Sequence, residues 1–138
     1  MKYKLTDETK VVGVTTLHRI KALKTFGNVT KGDLGGWVET ESNLSQLGNA
    51  WVYGNARVYC NAIVYGNARV YGNTEVFGDA WVFDDAWVCG NAIVYGNARV
   101  YGNAEVSGAT WVAGDTIPKN SSSVAKQLKE KGIKLGIK

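Results

Sequence analysis

The residues able to carry out acid–base or nucleophilic chemistry are few and far apart in this sequence. The chain contains one histidine, His18, and two cysteines, Cys60 and Cys89. A general base must titrate near neutral pH and lie within hydrogen-bonding reach of its substrate. A structural zinc site needs four ligands, and no third thiol or neighbouring histidine accompanies the two cysteines. We therefore expect a satisfied or solvated His18, two unpaired thiols, no catalytic residue, no metal site and no cofactor.

Composition narrows the class of protein before any element is assigned. The 138 residues suit a single domain, and 16 Lys and Arg against 12 Asp and Glu give a net charge of +4. Seventeen glycines beside one proline exclude collagen and proline-rich linkers. No run of about 18 apolar residues is available for a membrane span. The N-terminal residues lack the apolar stretch of a secretory signal, so we expect a cytoplasmic protein.

A six-residue repeat, Gly-Asn-Ala-x-Val-Tyr, occupies the middle of the chain. It occurs eleven times without insertion between Gly48 and Ala113, and its fifth position is Val in every copy. Ala and Val are two residues apart, so in an extended segment both face the same side. Gly-Asn tolerates positive φ and turns the chain. Each hexad therefore predicts a very short strand followed by a corner.

Strands this short cannot form a core alone, so copies must stack on one another as in a solenoid. An antiparallel barrel is the competing interpretation, but its strands need more residues than a hexad offers. The pattern resembles the hexapeptide signature of left-handed parallel β-helices, in which three hexads form each triangular coil. The sequence also resembles the Gly-Asn-Ala-x-Val-Tyr subgroup of bacterial and phage proteins that carry a transferase name. That subgroup also shares the preceding Leu17–Leu23 and Lys31–Val38 segments.

The resemblance implies an all-β fold, a single-stranded left-handed parallel β-helix of eighteen residues per coil. It also implies the trimeric acyltransferase activity of many such proteins, with a catalytic histidine between subunits. His18 lies outside the coils, and no loop longer than a corner interrupts the repeats to shape a cofactor pocket. We therefore expect no enzymatic activity and keep an acyltransferase-like enzyme as the alternative.

An eighteen-residue coil sorts the outward position between Ala and Val into three columns. These columns read Trp51, Arg69, Trp87, Glu105; then Arg57, Glu75, Ile93, Trp111; then Ile63, Trp81, Arg99. Neighbours in a column are close enough for Trp–Arg cation–π contacts and an Arg57–Glu75 pair. The adjacent acids Asp84-Asp85 could bind a cation, but Asp85 also continues a corner column of amides, Asn49, Asn67, Asp85 and Asn103. We favour the structural role.

Six of the eleven outward residues are Trp or Ile, and an exposed face this apolar usually marks an interface. Trp and Arg are favoured interface anchors. Corner aromatics such as Tyr53 and Tyr71 widen that surface. We predict a protein interface, against the alternative that the columns only stiffen a monomer. Its predicted residues are Trp51, Arg69, Trp87, Trp81, Arg99, Trp111, Ile63 and Ile93.

The two ends differ from the repeats in sequence and in charge. We assign residues 1–47 to an N-terminal β cap with strands at Lys2–Leu5 and Val11–Leu23, 48–115 to the β-helix, and 116–138 to a lysine-rich tail with a short helix at Val124–Lys131. The three segments carry net charges of +2, −3 and +5. Clustered lysines attract phosphate, but the tail lacks aromatics or a recognisable module, so nucleic acid is disfavoured.

The favoured function is a non-catalytic scaffold that acts by protein–protein contact. Its partner is a further copy of the chain, in a dimer or trimer, or a host protein, or both. The resemblance implies a phage or prophage protein in the bacterial cytosol, for example an anti-CRISPR-type inhibitor of a host defence enzyme. A second alternative is a small-ligand (nucleotide) sink between packed subunits, in which Arg69 or Arg99 would meet phosphates.

Overall fold

The structure is a computed structural model that describes residues 1–114 and the backbone of 116–117. Within these residues it is almost entirely β, with one 3-10 helix at Glu41–Asn43. The strands, in chain order, are β1 Tyr3–Val12, β2 Thr15–Ala22, β3 Leu34–Val38, β4 Trp51–Val52, β5 Arg57–Val58, β6 Ile63–Val64, β7 Arg69–Val70, β8 Glu75–Val76, β9 Trp81–Val82, β10 Trp87–Val88, β11 Ile93–Tyr95, β12 Arg99–Val100, β13 Glu105–Val106, β14 Trp111–Ala113 and β15 Thr116–Ile117.

The repeat strands stack in parallel with the predicted period of eighteen residues. Trp51 pairs with Arg69 and Ile63 with Trp81, each in a parallel ladder. The ladders form three sheets, ordered β1-β2-β3-β5-β8-β11-β14, β13-β10-β7-β4 and β15-β12-β9-β6. The parallel β-solenoid is therefore confirmed, and the antiparallel barrel is excluded. Left-handedness remains an expectation from the resemblance.

The core is a column of small and branched side chains along the axis of the coils. The eleven repeat valines are at most 2% exposed, and the nine repeat alanines are fully buried. Burying a valine contributes about 1.5–3 kcal/mol relative to leaving it in water. Successive side chains of a strand point to opposite sides. The Ala and Val of each hexad are two residues apart, so both point toward this axis.

Gly72 shows two separate reasons why a corner position requires glycine. Its φ is +77°, a region that L side chains rarely adopt, and a Cβ there would lie 2.7 Å from the Gly90 carbonyl oxygen of the next coil. Cys60 and Asp84 occupy the same corner position with φ of 58° and 56°. Asp84 recovers part of that cost, because its carboxylate accepts a hydrogen bond from the Gly102 amide at 3.1 Å.

The N-terminal segment forms an antiparallel hairpin rather than the predicted strand arrangement. The prediction of a continuous strand over Val11–Leu23 is wrong, because the chain turns at Gly13, whose φ is +63°, and β1 returns along β2. Strand β2 then pairs with β3 in antiparallel fashion, and β3 pairs with β5 in parallel. Parallel stacking thus begins at Trp37, before the first uninterrupted hexad, and the segment boundary at 47/48 stays a prediction.

A buried ammonium closes the N-terminal end of the coils. Lys2 is 1% exposed, and its Nζ donates to the carbonyl oxygen of Ala50 at 2.8 Å and stacks over the Phe26 ring at 5.0 Å. Burial, reinforced by the charge of Lys24, lowers the pKa of Lys2 to about 8. The hairpin therefore covers the open end that a solenoid would otherwise present to water.

Two further predictions concern the C-terminal segment and membrane-spanning helices. The predicted helix at Val124–Lys131 and the lysine-rich tail lie outside the described residues. Among the residues that are described, no helix has both the length and the apolar character needed to cross a bilayer.

Candidate functional site

The outward columns form as predicted, but one of their tryptophans is not exposed. Trp51 is 1% exposed, because the N-terminal segment packs Tyr3 and Phe26 edge-on against its ring at 6.0 and 5.3 Å. Its prediction as an exposed interface anchor is therefore wrong. Ile93 is also buried, at 8% exposure. Neither residue is available to a partner in this structure.

The remaining predicted interface residues lie on three different faces. Trp87 and Arg69 are on the β4-β7-β10-β13 sheet, Trp81, Arg99 and Ile63 on the β6-β9-β12-β15 sheet, and Trp111 on the sheet that contains the hairpin. The three tryptophans are 36–37% exposed, whereas both arginines and Ile63 are half-buried. The structure therefore offers three small aromatic surfaces rather than one continuous patch.

Contacts along the columns match those that the sequence predicts. Arg57 and Glu75 form an ion pair of 2.7 Å. The guanidinium of Arg99 lies 4.1 Å from the Trp81 ring centroid, and that of Arg69 lies 5.4 Å from the Trp87 ring. These distances suit cation–π contacts. The columns hold the exposed indole rings in place.

The corner aromatics form three ladders, of which one differs from the others. In two ladders the rings stack face to face, as in Tyr59–Phe77 at 5.2 Å and Tyr65–Phe83 at 4.8 Å. In the third, Tyr53 and Tyr71 meet edge-on at an interplanar angle of 82°. That column continues with Cys89 and Ser107 in place of aromatics. Tyr71 also meets Trp87 edge-on, at 72°, a contact that Tyr65–Trp81 and Tyr95–Trp111 repeat in the other two ladders.

An open groove lies on the face of this third ladder. Its volume is about 380 Å³, and it is lined by Asn28, Tyr53, Arg69, Tyr71 and Trp87. Such a volume falls in the range of small-molecule sites, about 300–1,000 Å³. Three aromatic walls and one guanidinium give it an apolar body with a single positive group. Asn28 comes from the N-terminal segment and contributes the only amide side chain of this lining.

The titration of the groove tyrosines reflects their surroundings. Burial raises the pKa of Tyr71 to about 12, helped by a hydrogen bond with Cys89 and by the charges of Cys89 and Glu105, while Arg69 opposes the shift. Burial also raises the pKa of Tyr53, again against the effect of Arg69. Both phenols are therefore neutral at physiological pH, and Arg69 is the charged group of the lining.

The repeat pattern does not point to Asn28, and for Tyr53 and Tyr71 it predicts only a wider aromatic surface. The signal that could have located the groove is the sixth position of the repeat. Along this face it reads Tyr53, Tyr71, Cys89 and Ser107, whereas the other two faces keep aromatics for three consecutive coils.

A further tryptophan, Trp37, also escaped prediction. It is 5% exposed, with Lys10 Nζ 4.4 Å and the Arg19 guanidinium 4.9 Å from its ring. Trp37 pairs with Arg57 of the next coil, so it extends that outward column by one residue toward the N-terminus. It lies before the uninterrupted hexads, where the repeat pattern gives no register.

None of the residues considered first for chemistry lines this groove, although Cys89 lies beside it as the hydrogen-bond partner of Tyr71. His18 is on β2, where its Nδ1 is 3.3 Å from the Thr6 carbonyl oxygen. Cys60 and Cys89 are both free thiols that form no disulfide. The amide of Asn67 donates to the Asp85 carboxylate at 3.3 Å, which confirms that this acid continues the corner ladder. No group of three or more His, Cys, Asp or Glu able to hold a metal occurs among the described residues.

Comparison with known proteins identifies the repeat. The family described as "YdcK Beta solenoid repeat" matches residues 50–65, 64–75, 86–100 and 98–114. The protein named "Uncharacterized acetyltransferase YdcK" of Escherichia coli (strain K12) is 33% identical over 60 residues, in a match that covers 38% of this chain. The matched region spans only 18% of that relative's length. Together with the eighteen-residue register of the stacked strands, these matches show that the chain contains a hexapeptide-repeat β-helix.

Proposed function

We propose that the chain is a non-catalytic β-solenoid scaffold that acts by binding another protein, a further copy of itself included. The observation that carries this proposal is the set of exposed tryptophans, one on each face of the coils. Trp81 and Trp87 are each more than one-third exposed, although the same chain buries Trp37 and Trp51 almost completely. Large exposed aromatic rings are typical of binding surfaces.

The rings of Trp81 and Trp87 are also held in place before any partner arrives. Trp81 contacts both the Arg99 guanidinium and the ring of Tyr65, which it meets edge-to-face with a centroid distance of 6.3 Å. Trp87 has the same arrangement with Arg69 and Tyr71. Ordering a side chain at an interface costs about 0.5–1.5 kcal/mol, and a ring already fixed avoids most of it. This preorganisation favours binding over a purely stiffening role.

Self-association is the first test of this proposal. We expect native mass spectrometry of the purified chain to show a dimer or trimer, and Trp81→Ala or Trp87→Ala to shift it toward monomer. Glu105→Ala is the matched control, since Glu105 is an exposed outward residue of the same column as Trp87. Two results together would contradict the proposal. The wild-type chain would be monomeric, and all three variants would form the same complexes with identified host proteins as the wild-type chain.

The more specific role, an anti-defence inhibitor of phage origin in the bacterial cytosol, rests on the sequence resemblance. Its test is direct inhibition. A purified host defence nuclease assayed with and without the chain should lose activity, and Trp81→Ala or Trp87→Ala should restore it. Equal nuclease activity with and without the chain would contradict the anti-defence role but not the scaffold role.

Group transfer is the second candidate, favoured by the acetyltransferase name of the E. coli relative. His18 would then be the base, although its ring faces the Thr6 carbonyl on the hairpin. Turnover of acetyl-CoA that disappears in His18→Ala would establish this activity. Binding of acetyl-CoA without turnover would instead agree with a scaffold.

A further inference from the structure

Arg69 differs from every other arginine of the chain in what its guanidinium contacts. Arg19 donates to the Gly35 carbonyl and pairs with Glu8, and Arg57 pairs with Glu75. Among the described residues, Arg69 has no hydrogen-bond or ion-pair partner and only stacks on Trp87. A half-buried guanidinium has up to five donors to satisfy. These donors are available to a ligand in the groove.

Arg99 provides the internal comparison, because it occupies the same repeat position and also stacks on a tryptophan. Its Nη1 donates to the backbone carbonyl oxygens of Asp79, Asn97 and Ala98 at 2.9, 3.1 and 3.1 Å. The Arg99 donors are therefore engaged by the protein itself. Of the two arginines considered for anion binding from the sequence, the structure leaves only Arg69 suited to it.

We propose that the groove of Asn28, Tyr53, Arg69, Tyr71 and Trp87 binds a small planar ring that carries one anionic group, a phosphate or a carboxylate. The ring lies against the aromatic walls, where stacking on Tyr or Trp is tolerant of ring identity. The anion meets the Arg69 guanidinium, which favours planar, bidentate oxygen pairs. The exposed Asn28 amide supplies one further donor and acceptor at the rim.

The shape and charge of the groove set the size of this ligand. A volume of about 380 Å³ is at the lower end of small-molecule sites, so one ring system with its substituent fits better than a longer chain. The lining has one cation, and Glu105 contributes a negative charge near Tyr71. A single anionic group is therefore favoured over a polyphosphate. This inference goes beyond the protein-contact function and does not depend on it.

The test is calorimetric titration of the full chain with two ring anions, adenosine monophosphate and indole-3-acetate. Adenosine, inorganic phosphate and acetate serve as the ring-only and anion-only controls. We expect one of the two ring anions to bind with a dissociation constant below about 1 mM, and each control at least about tenfold more weakly. The preferred compound distinguishes a nucleotide-like phosphate ligand from an indole-like carboxylate ligand.

Variants locate the binding. Arg69→Gln keeps the stem over Trp87 but removes the charge, and it should weaken binding about tenfold or more. Arg99→Gln, on another face, should leave the affinity unchanged. In the wild-type chain, the indole N–H resonance of Trp87 should shift on titration while that of Trp81 does not, which requires no variant to fold. Neither ring anion binding below about 1 mM, equal affinity in Arg69→Gln, or a shift at Trp81 alone would overturn the proposal.

The two proposals fail separately. Trp81→Ala removes a protein-contact surface without touching the groove, so it should change assembly and leave ring-anion binding intact.

Discussion

The Nζ of Lys2 lies 2.8 Å from the carbonyl oxygen of Ala50, where a buried ammonium seals the first full coil. Further carbonyls, those of Gly48 and Leu47, lie at 3.4 and 3.5 Å. These oxygens belong to the turn that begins the uninterrupted repeats. One side chain from the second residue of the chain thus satisfies backbone groups that no preceding coil is present to pair.

Lys2 gives stability a dependence on alkaline pH. Its folded pKa is about 8 against 10.5 when unfolded, so the unfolded chain binds more protons between these values and the free energy of unfolding rises with pH there. Lys2→Met should reduce that rise between pH 8 and 10 in chemical denaturation experiments. It should also lower stability by about 1–3 kcal/mol, because the Ala50 carbonyl loses its partner. Equal pH slopes in both proteins would contradict the assignment.

Ionisation of Tyr59 lowers the free energy of unfolding as pH rises above 10, which is the opposite of the effect of Lys2. Burial, then the charge of Glu75 and the hydrogen bond to it, raises the pKa of Tyr59 to about 12. Stability that this phenol contributes is present below pH 10 and is lost as pH rises toward 12. Tyr59→Phe should lessen the loss, since Phe77 already occupies the equivalent position one coil on. Denaturant midpoints measured from pH 9 to 12 test this, and an unchanged decline would count against it.

The close approach of stacked corners can be separated from the cost of positive φ. Gly72→Ala and Gly108→Ala both place a Cβ at positive φ, which costs about 1–2 kcal/mol. Only at Gly72 does that Cβ meet backbone, at 2.7 Å from the Gly90 carbonyl oxygen, whereas Gly108 faces open space. We expect Gly72→Ala to lose about 1–3 kcal/mol more than Gly108→Ala. Equal losses would show that φ alone selects glycine.

A buried hydroxyl in the core should be dispensable. Thr74 is fully buried, and its Oγ1 has no hydrogen-bond partner. Thr74→Val keeps the shape and should raise the free energy of unfolding by about 1–2 kcal/mol. Thr110→Val is the control, because that hydroxyl donates to the Ser107 carbonyl at 3.0 Å, and it should be neutral or destabilising. Destabilisation by Thr74→Val would mean that the hydroxyl has a partner in solution.

Replacing Trp51 should damage the fold rather than a binding surface. We expect Trp51→Ala to cost about 3–5 kcal/mol, the usual loss for a buried tryptophan, because Tyr3 and Phe26 pack on its ring. Trp87→Ala should cost far less. Thermal unfolding of the two variants compares them directly, and similar melting temperatures would be inconsistent with the buried position of Trp51.

The repeat region could be predicted from sequence because every rule it obeys is local. Alternation with a period of two turns the third and fifth residues of each hexad inward, and Gly-Asn sets the corner, so eleven copies fix the register without long-range information. The three columns, the Arg57–Glu75 pair and both Trp–Arg contacts followed from that register. The turn at Gly13 is equally local, yet the predicted Val11–Leu23 strand runs through it.

The groove and the burial of Trp51 depend on contacts between distant segments. Phe26 covers Trp51 and Asn28 completes the groove, and both come from a loop that has no repeat to fix its position. A periodic pattern shows which side chains point outward, but it does not show which of them another segment then covers. The contacts of the N-terminal segment with the coils therefore could not be predicted from the repeat.

The pairing of each residue with the one eighteen positions on also constrains how this chain can change in length. Gain or loss of a whole coil leaves every column intact. Loss of a single hexad, for example residues 72–77, would advance every later hexad by one face. Trp87 would then align with Ile63 instead of Arg69, and the groove would lose one wall. For a lineage of such proteins, eighteen residues are thus the smallest heritable step in length that preserves the side-chain columns.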